Sequence, residues 1–528
     1  MASEILKLCM SKGFLLDREM LNFLSNMNDE GAKNLVGVLG DLGVVERVIT
    51  KKLFEENFEK IRSFLINDYK EDEINAFFGG INYLKKDEEK ELEEDEQSKT
   101  GKVKLISAPA FPQKKVEVKD FVNHFRSRYE MFKKIFDSFN LENLTTIKRL
   151  GFDRANYTLI AIVSEKTITK NKNLLIQVED LTGKSTILVN ANKKEVFDKA
   201  KDLLLDDIVA FEVTGSREML FASNIIFPQA SLEEKRKSSF DEYIAVIGDL
   251  HVGSTMFLEK NFLKFIKWVN GEEGSAEQRA IAKKVKYLFF MGDNVDGINQ
   301  RPGQEPFLNI NTTLGQYKKV EEFLRLFRPD VQMVMIPGQH DMVWVGEPQQ
   351  IIPHKYAPGL HDLGNLHLVP NPCIIEIDGG FKILIYHGGS INSLIEEIPG
   401  MRIKYGHNSP TMIVKEMLKR RHLAPTHGLV DYIPCERDPM VIDIIPDVVL
   451  TGDQHRAEAS TFNNILMISG SCFQSITPFE EKVGNNPDPC KIPLFNLKTR
   501  EIKIMDFSGD SKNVGGEKVE PAVIEDGK

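Results

Sequence analysis

The spacing of apolar residues changes along the chain, and the first 140 residues favour helices. From Ile5 to Leu42 apolar residues recur at roughly helical intervals, so we predict a helical module over 1–78. Between Asp120 and Phe139 seven apolar residues fall on one face of a single helix. The stretch between these parts differs, because eight of the ten residues from Asp87 to Glu96 are acidic. Such a block repels itself and cannot bury a core, so we predict an acidic flexible linker over 79–117.

A β-rich region follows, in which short apolar stretches alternate with polar turns. Five such stretches predict strands, at 157–164, 173–179, 185–190, 207–215 and 219–227. A helix is predicted at 193–204, between the third strand and the fourth. Three strands, a helix and two further strands are the order of an OB-fold β-barrel. We therefore assign an OB domain with its leading helix to 118–232.

The pattern changes again at Glu242, where five continuously apolar runs are each followed directly by glycine, aspartate or histidine. The runs are YIAVIGDLH (243–251), YLFFMGDNVDG (287–297), VQMVMIPGQHD (331–341), FKILIYHGG (381–389) and PDVVLTGDQH (446–455). Helices are predicted between them, for instance at 260–269 and 317–327. Apolar strands that alternate with helices indicate buried sheets in an α/β domain, which we assign to 240–507. The polar residues 508–528 are predicted to be a disordered tail.

Composition and charge narrow the class of protein without pointing to a function. The chain has 528 residues, which suggests about three domains, and its 41% apolar and 28% charged residues are globular values. Because the net charge is −10, any surface for nucleic acid must be local. Five scattered cysteines without a CxxC pair argue against a disulfide framework and a cysteine-ligated zinc site, and indicate a reducing compartment. We recognise no signal peptide and no apolar run of membrane-spanning length, so we expect a cytoplasmic protein without membrane contact.

The polar residues that follow the five apolar runs carry the candidate chemistry. Ligand sites in α/β sheets lie just beyond the strand ends, where all five clusters fall. A single Asp-X-His at a turn is more often a hydrogen-bonding pair, but five such clusters are hard to explain by folding alone. Their oxygen and nitrogen donors suit manganese, iron, zinc or, less well, magnesium, and predict two divalent ions that share a carboxylate. The candidates are Asp249, His251, Asp293, Gln339, His340, His387, Asp453 and His455.

The order of these clusters resembles the signature of the calcineurin-like metallophosphoesterases. The segments PGQHDMVWVGEPQQ (337–350) and LKRRHLAPTHG (418–428), together with the OB barrel, are similar to the small subunits of archaeal DNA polymerase D, the DNA polymerase delta/II small subunit family. The resemblance implies a multidomain α+β protein with an N-terminal helical module, an OB-fold β-barrel and a C-terminal calcineurin-like α/β sandwich. It also implies a metal-dependent 3′–5′ exonuclease that proofreads on single-stranded DNA, in a nucleoid-associated complex.

The partners that this resemblance implies are a large catalytic polymerase subunit, primer-template and single-stranded DNA and, through the complex, the sliding clamp. The resemblance also assigns roles around the first ion. It implies that Asp249, His251 and His455 bind that ion and that Asp293 bridges the two. His340 matches the histidine that stabilises or protonates the leaving oxygen.

The second ion is where the chain departs from the superfamily pattern. Gln339, His387 and Asp453 stand where its ligands belong, but the superfamily usually has asparagine and histidine at the first and third of these positions. The aspartate adds negative charge and favours a hard ion such as manganese, while the glutamine keeps a carbonyl oxygen on a longer arm. We therefore predict a second site that is retuned rather than lost.

Residues 452–455 pose a separate question, since an aspartate after a strand is often only a turn cap that bonds backbone amides. In an extended segment, residues two apart face the same side. On that geometry we predict that Asp453 and His455 address one bimetal centre from a single loop.

Two other functions stay open. The small subunits of eukaryotic replicative polymerases share this architecture but have decayed metal sites, so a catalytically weak or inactive scaffold subunit is the main alternative. A stand-alone phosphoesterase or repair nuclease of the same superfamily is the other, and a large subunit that co-purifies with the chain would exclude it. The barrel could bind DNA or dock a protein. Candidate DNA contacts are Lys166, Lys170, Lys172, Lys184, Arg420 and Arg421.

Overall fold

Besides two short strands nearer the N-terminus, the computed structural model describes residues 101–112, 115–509 and 514–524. The chain divides into two compact units, Met1–Ser98 and Lys99–Lys528. In the first unit, β1 (Leu15–Leu16) pairs in parallel with β2 (Val48–Ile49). The rest of the helical module predicted over 1–78, and the acidic part of the predicted linker, lie outside the described residues.

The second unit opens with β3 (Val103–Ser107) and α1 (Val118–Phe136), and a closed five-stranded barrel follows. Its strands pair in the order β5-β6-β7-β9-β8, and β8 returns to pair with β5. The five predicted strands and the predicted helix between the third and the fourth are confirmed. The bounds are β4 (Leu144–Thr145), which pairs with β5, β5 (Ala155–Ile168), β6 (Leu174–Asp180), β7 (Gly183–Val189), α2 (Lys194–Asp202), β8 (Ile208–Ser216) and β9 (Met219–Ile226).

The remaining described strands form two seven-stranded mixed sheets. Sheet A has the order β13 (Leu366–Leu368), β12 (Gln332–Ile336), β11 (Val285–Met291), β10 (Tyr243–Ile247), β19 (Lys491–Asn496), β20 (Ile502–Asp506) and β21 (Gly515–Val519). Sheet B has the order β22 (Ala522–Val523), β17 (Glu458–Phe462), β18 (Ile465–Ser469), β16 (Val448–Thr451), β15 (Phe381–Tyr386), β14 (Cys373–Ile377) and β3.

Helices connect these strands, and none of the described ones has the length and apolar character needed to cross a membrane. The α-helices are α3 (Glu259–Val269), α4 (Ala276–Ala282), α5 (Thr313–Leu324), α6 (Pro358–His361), α7 (Ile391–Glu397), α8 (Met401–Tyr405), α9 (Pro410–Arg420) and α10 (Pro478–Val483). Short 3-10 turns lie at Asp137–Phe139, Ile147–Arg149, Glu305–Phe307 and Asp378–Gly380.

The two sheets pack face to face, with helices on both outer faces. Alternate residues of β10 show the arrangement: Ile244 and Val246 join the core between the sheets, while Ala245 and Ile247 join the core under α3 and α5. On the far side of sheet B, α7 and α9 cover a third core. Strands buried on both faces explain why the five runs are apolar throughout. The carboxyl ends of β10, β11, β12, β15 and β16 are therefore the places where polar residues emerge.

Two boundaries predicted from composition were wrong. Residues 103–107 of the predicted linker form β3, which pairs antiparallel with β14 and extends sheet B. Residues 515–519 and 522–523 of the predicted disordered tail form β21 and β22, at the edges of sheets A and B. The physical reason is the same in both cases, because the edge of a sheet offers unpaired N–H and C=O groups that bind the backbone of a segment whatever its side chains are. Composition alone does not reveal that partner.

Helix α1 is held against the sheet domain by a buried polar cluster. Arg128 Nε lies 2.5 Å and His422 Nε2 lies 3.2 Å from the same oxygen of Asp438, whose side chain is fully buried. The backbone N–H of Ala424 donates to His422 Nδ1 at 3.0 Å, so the proton of the neutral ring is on Nε2. Burial, reinforced by the nearby Arg128 guanidinium, lowers the pKa of His422 to about 4.

This cluster predicts a loss of stability in mild acid. The pKa of His422 falls from the ordinary 6.5 to about 4 on folding, so the unfolded chain binds more protons in that window. The free energy of unfolding therefore falls as the pH drops from 6.5 to 4, by up to about 3 kcal/mol. A His422→Gln variant keeps a donor to Asp438 but does not titrate. Its free energy of unfolding should therefore fall by about 3 kcal/mol less than that of the wild type over the same pH range. Chemical denaturation of both proteins at pH 7 and pH 4.5 measures the difference; equal losses would contradict this assignment.

Candidate metal centre

The strand ends of the two sheets bring all eight candidate residues to one place. His455 Nε2 lies 3.7 Å from Asp249 Oδ1 and 3.3 Å from His251 Nε2, which defines a first group. His387 Nε2 lies 3.6 Å from Asp293 Oδ1, in a second group. The other oxygen of Asp293 is 3.9 Å from His251 Nε2, so this carboxylate stands between the two groups.

Asp453 completes the second group, with its Oδ1 at 3.8 Å from His387 Nε2. Gln339 and His340 line the same cavity as Asp293 and Asp453, which has a volume of about 620 Å³. The amide nitrogen of Gln339 and the carboxylate of the buried Glu347 both approach Gly389. The predicted departure from the superfamily pattern thus lies within the site and not beside it.

The histidines are oriented by partners on their outer nitrogens. His387 Nδ1 donates to the carbonyl of Met291 at 2.7 Å, and His455 Nδ1 lies 2.8 Å from a carboxylate oxygen of Glu480. In the neutral ring the proton is therefore on Nδ1, and the Nε2 lone pair of each histidine faces the centre, as in metal-binding histidines. In the described structure His387 Nε2 is buried and has no hydrogen-bond partner. Such an atom fits a metal ligand and is costly otherwise.

The backbone at the strand ends is unusual and explains how short turns aim these side chains. Five of the ligand candidates have φ between 29° and 65°, the left-handed region that residues other than glycine rarely adopt. Such strain clusters at functional sites, and each instance costs about 1–3 kcal/mol. The five residues are Asp249, His251, Asp293, Asp453 and His455.

Two glycines allow the strand ends to approach one another. A Cβ atom on Gly292 would lie 2.5 Å from His387 Nδ1, and one on Gly338 would lie 2.3 Å from Asp293 Oδ1. Both distances are far below contact, so these positions accept no side chain without displacing a candidate ligand. The Gly-Asp and Pro-Gly-Gln-His patterns in the sequence therefore have a steric basis.

The charges of the site are closely balanced and buried. Burial raises the pKa of Asp249 to about 7 and also raises the pKa of Asp453. Burial would raise the pKa of Asp293 as well, yet three neighbouring imidazoles, that of His387 first, hold it well below its usual range. Burial by itself would lower the pKa of His387, but the surrounding carboxylates outweigh burial and raise this pKa to about 9. A divalent cation bound here would take the place of the proton on His387 Nε2, and buried carboxylates with imidazoles are a donor set that such cations bind.

Three further acids at the site were missed from the sequence. Asp296 lies 3.4 Å from His251 Nδ1, and Glu480 orients His455. Asp341 is buried and accepts the backbone N–H of Gly338 at 2.9 Å, which supports the turn before Gln339. The first two acids stand at recognisable positions in the sequence, but each position also has a purely structural interpretation. Asp296 follows Asp293 by three residues, and Glu480 occupies the last position of a Thr-X-X-Glu helix cap, which it also forms.

Three of the six cationic residues predicted to contact DNA serve the fold instead. Arg420 is 3% exposed; it pairs with Glu416 on its own helix and joins α9 to the barrel through Asp202 and Asp207. Arg421 is 5% exposed and donates to backbone carbonyls, while Lys166 donates to the carbonyls of Lys201 and Leu203 within the barrel. Charge in a sequence does not show which side of a helix or strand is covered. The other three predicted DNA contacts are exposed, namely Lys170, Lys172 and Lys184, and Lys184 pairs with Glu179.

The chain is similar in sequence to known DNA polymerase subunits. Residues 244–460 match the B-subunit family of DNA polymerases alpha and epsilon. The DNA polymerase II small subunit of Methanothermobacter thermautotrophicus is 34% identical over 394 residues, which cover 74% of this chain and 80% of that protein. That of Pyrococcus furiosus is 32% identical over 400 residues, which cover 74% of this chain and 64% of that protein.

Among solved structures, wild-type Vps29 of Entamoeba histolytica in complex with zinc covers 52% of this chain and 98% of its own length. Its sequence identity is 17% and its TM-score is 0.27.

Proposed function

This chain belongs to the family of archaeal DNA polymerase II small subunits, and on that premise we propose that its metal centre is a 3′–5′ exonuclease for single-stranded DNA. The centre would remove misinserted nucleotides for a large catalytic subunit that binds primer-template DNA and, through the complex, the sliding clamp. The observation that supports hydrolysis is the convergence of three aspartates and three histidines at one centre, with outer hydrogen-bond partners that direct the Nε2 atoms of His387 and His455 inward. A structural turn needs no such arrangement.

The donor set fits two divalent cations, with manganese as the first choice and magnesium, iron or zinc as alternatives. The first cation would be held by Asp249, His251 and His455, and the second by Gln339, His387 and Asp453, with Asp293 between them. When bound, the cations would neutralise the phosphodiester and lower the pKa of an attacking water.

His340 is the residue we propose to act on the leaving group. Its Nδ1 donates to the carbonyl of Asp296 at 2.8 Å, and its backbone N–H donates to Asp293 Oδ1 at 2.8 Å. These two bonds direct Nε2 toward the cavity, 4.0 Å from Asp293 Oδ2. A proton or hydrogen bond from Nε2 would stabilise the departing sugar oxygen.

We further propose that the barrel is an OB fold and that the sandwich is of the calcineurin-like type. The closed barrel order and the parallel pairing of β7 with β9 support the first assignment, and the ligands at five strand ends support the second. We propose the barrel as a site for DNA or for the partner subunit. The metal-site groups keep the expected aspartates and all but one of the expected histidines, which favours a nuclease over the scaffold alternative.

The direct test is digestion of single-stranded DNA by the purified chain, alone and with its large subunit. A strand labelled at its 5′ end should shorten stepwise with manganese present, and a strand blocked at its 3′ end should resist. Chelation with EDTA should stop the reaction, and returning manganese should restore it. No digestion under any of these conditions, in a complex that still polymerises, would favour the scaffold.

A further inference from the structure

An exposed aromatic side chain near the metal centre has no part in the proposed chemistry. Trp344 is 71% exposed, whereas Trp268, the other tryptophan of the chain, is fully buried. Met342 and Val345 on the same loop are 41% and 59% exposed. A large aromatic residue with apolar neighbours at the surface marks a binding site more often than a defect of packing.

The loop that carries Trp344 is fixed at both ends. Before it, the backbone N–H of His340 donates to Asp293 Oδ1 at 2.8 Å. After it, the backbone N–H of Glu347 donates to the carbonyl of Asp431 at 2.8 Å. These bonds anchor both ends of the loop that presents Trp344 beside the metal centre.

The same loop borders two cavities. Gln339 and His340 line the cavity of the metal centre, while residues 343–346 line a groove of about 670 Å³. The groove is also lined by Phe121 and Tyr432, whose rings are in edge-to-face contact at 5.8 Å between centroids. Asp431 lies at the groove and would repel a phosphate. The groove therefore suits bases, with the phosphates of a strand kept outside it.

We propose that Trp344 is a stacking platform for a base of the single-stranded DNA substrate, which rests on the proposed exonuclease function. Trp344 follows His340 by four residues, so their Cα atoms are at most about 14 Å apart. At about 3.4 Å per stacked nucleotide this is within about four nucleotides of the scissile phosphate. Stacking on an aromatic side chain tolerates any base, as proofreading of all four nucleotides requires. It would strengthen binding about 5- to 150-fold per base.

Fluorescence of the full-length chain tests this without requiring catalysis. Only Trp344 is exposed of the two tryptophans, so titration with a 15-nucleotide oligothymidylate in EDTA should quench tryptophan emission. Trp344→Phe should lose the quenching and keep most of the affinity measured by anisotropy of a labelled strand. Trp344→Ala should weaken that affinity by about fivefold or more. Because Trp344 is exposed, neither change should shift the melting temperature.

Equal quenching in wild type and Trp344→Phe, or an affinity of Trp344→Ala within twofold of wild type, would overturn the proposal. The proposal would also be overturned if the emission of Trp344 responded to the large subunit and no longer to DNA. The groove would then be a docking site for that subunit. Hydrolysis of bis(p-nitrophenyl) phosphate by the wild type tests the metal centre separately. If that hydrolysis is absent while quenching occurs, the proposed nuclease function fails and the stacking site stands.

Discussion

Replacing Asp293 by asparagine should lower the rate of DNA hydrolysis by about three orders of magnitude or more. One oxygen of this carboxylate faces His387 and the other faces His251, so the change removes a negative ligand from both proposed ion sites at once. Asparagine keeps an oxygen that can accept the backbone N–H of His340, so the turn itself should survive. Initial rates on labelled single-stranded DNA and on bis(p-nitrophenyl) phosphate measure the loss.

A matched control is Asp330→Asn, because this aspartate is exposed and pairs only at the surface with Arg328. It should leave both rates within twofold of the wild type. The melting temperature of Asp293→Asn in EDTA should be lower than that of the wild type, because the imidazoles that hold the pKa of Asp293 down lose their buried counter-charge. Wild-type rates in Asp293→Asn would show that the cluster is not the hydrolytic centre.

The strands and the ligand candidates could be predicted because their signals are local. Strands buried on both faces are apolar throughout, and residues such as Asp249 and His387 stand directly after them. The carboxyl ends of neighbouring strands meet at one edge, so adjacency in space follows from position in the sequence. What the sequence did not reveal is the set of contacts between distant segments. Arg420 has a charge that favours DNA in the sequence, but the barrel acids Asp202 and Asp207 cover it.

Backbone conformation was a second gap in the prediction. We expected 452–455 to be extended, which would place Asp453 and His455 on one side. Both residues instead have positive φ, 65° and 54°. Their side chains nevertheless reach the same centre. The two left-handed residues, with a single residue between them, bend the chain tightly around the strand end. The predicted convergence therefore holds for a different reason, and hydrophobic patterning cannot supply that reason because it reports burial and not φ.

The opposite outcomes expected for a ligand and for a turn cap make Asp453 the most informative position of the second site. Its carboxylate accepts from Asn392 Nδ2 at 3.1 Å and from Gln454 Nε2 at 2.7 Å, and it lies 3.8 Å from His387 Nε2. Among the described hydrogen bonds, none joins this carboxylate to a backbone amide of its own turn. A capping aspartate has such a bond, so the observed contacts favour a ligand.

Asp453→Ala should therefore bind one ion per chain instead of two and should lose about a hundredfold or more in turnover. Its melting temperature without metal should be unchanged or raised, because burial and the nearby Asp293 already disfavour the charged form of Asp453. Asp453→His should keep activity with a preference shifted toward softer ions, since imidazole suits zinc better than manganese.

The matched control is Asp180→Ala, because Asp180 is a true turn cap. Its Oδ1 accepts the backbone N–H groups of Thr182 and Gly183 at 2.7 Å and 3.0 Å. This variant should keep two ions and full turnover, and should lower the melting temperature through the lost cap. Elemental analysis and thermal melts on the same samples separate the cases, because a turn cap at Asp453 would give two ions together with a lowered melting temperature.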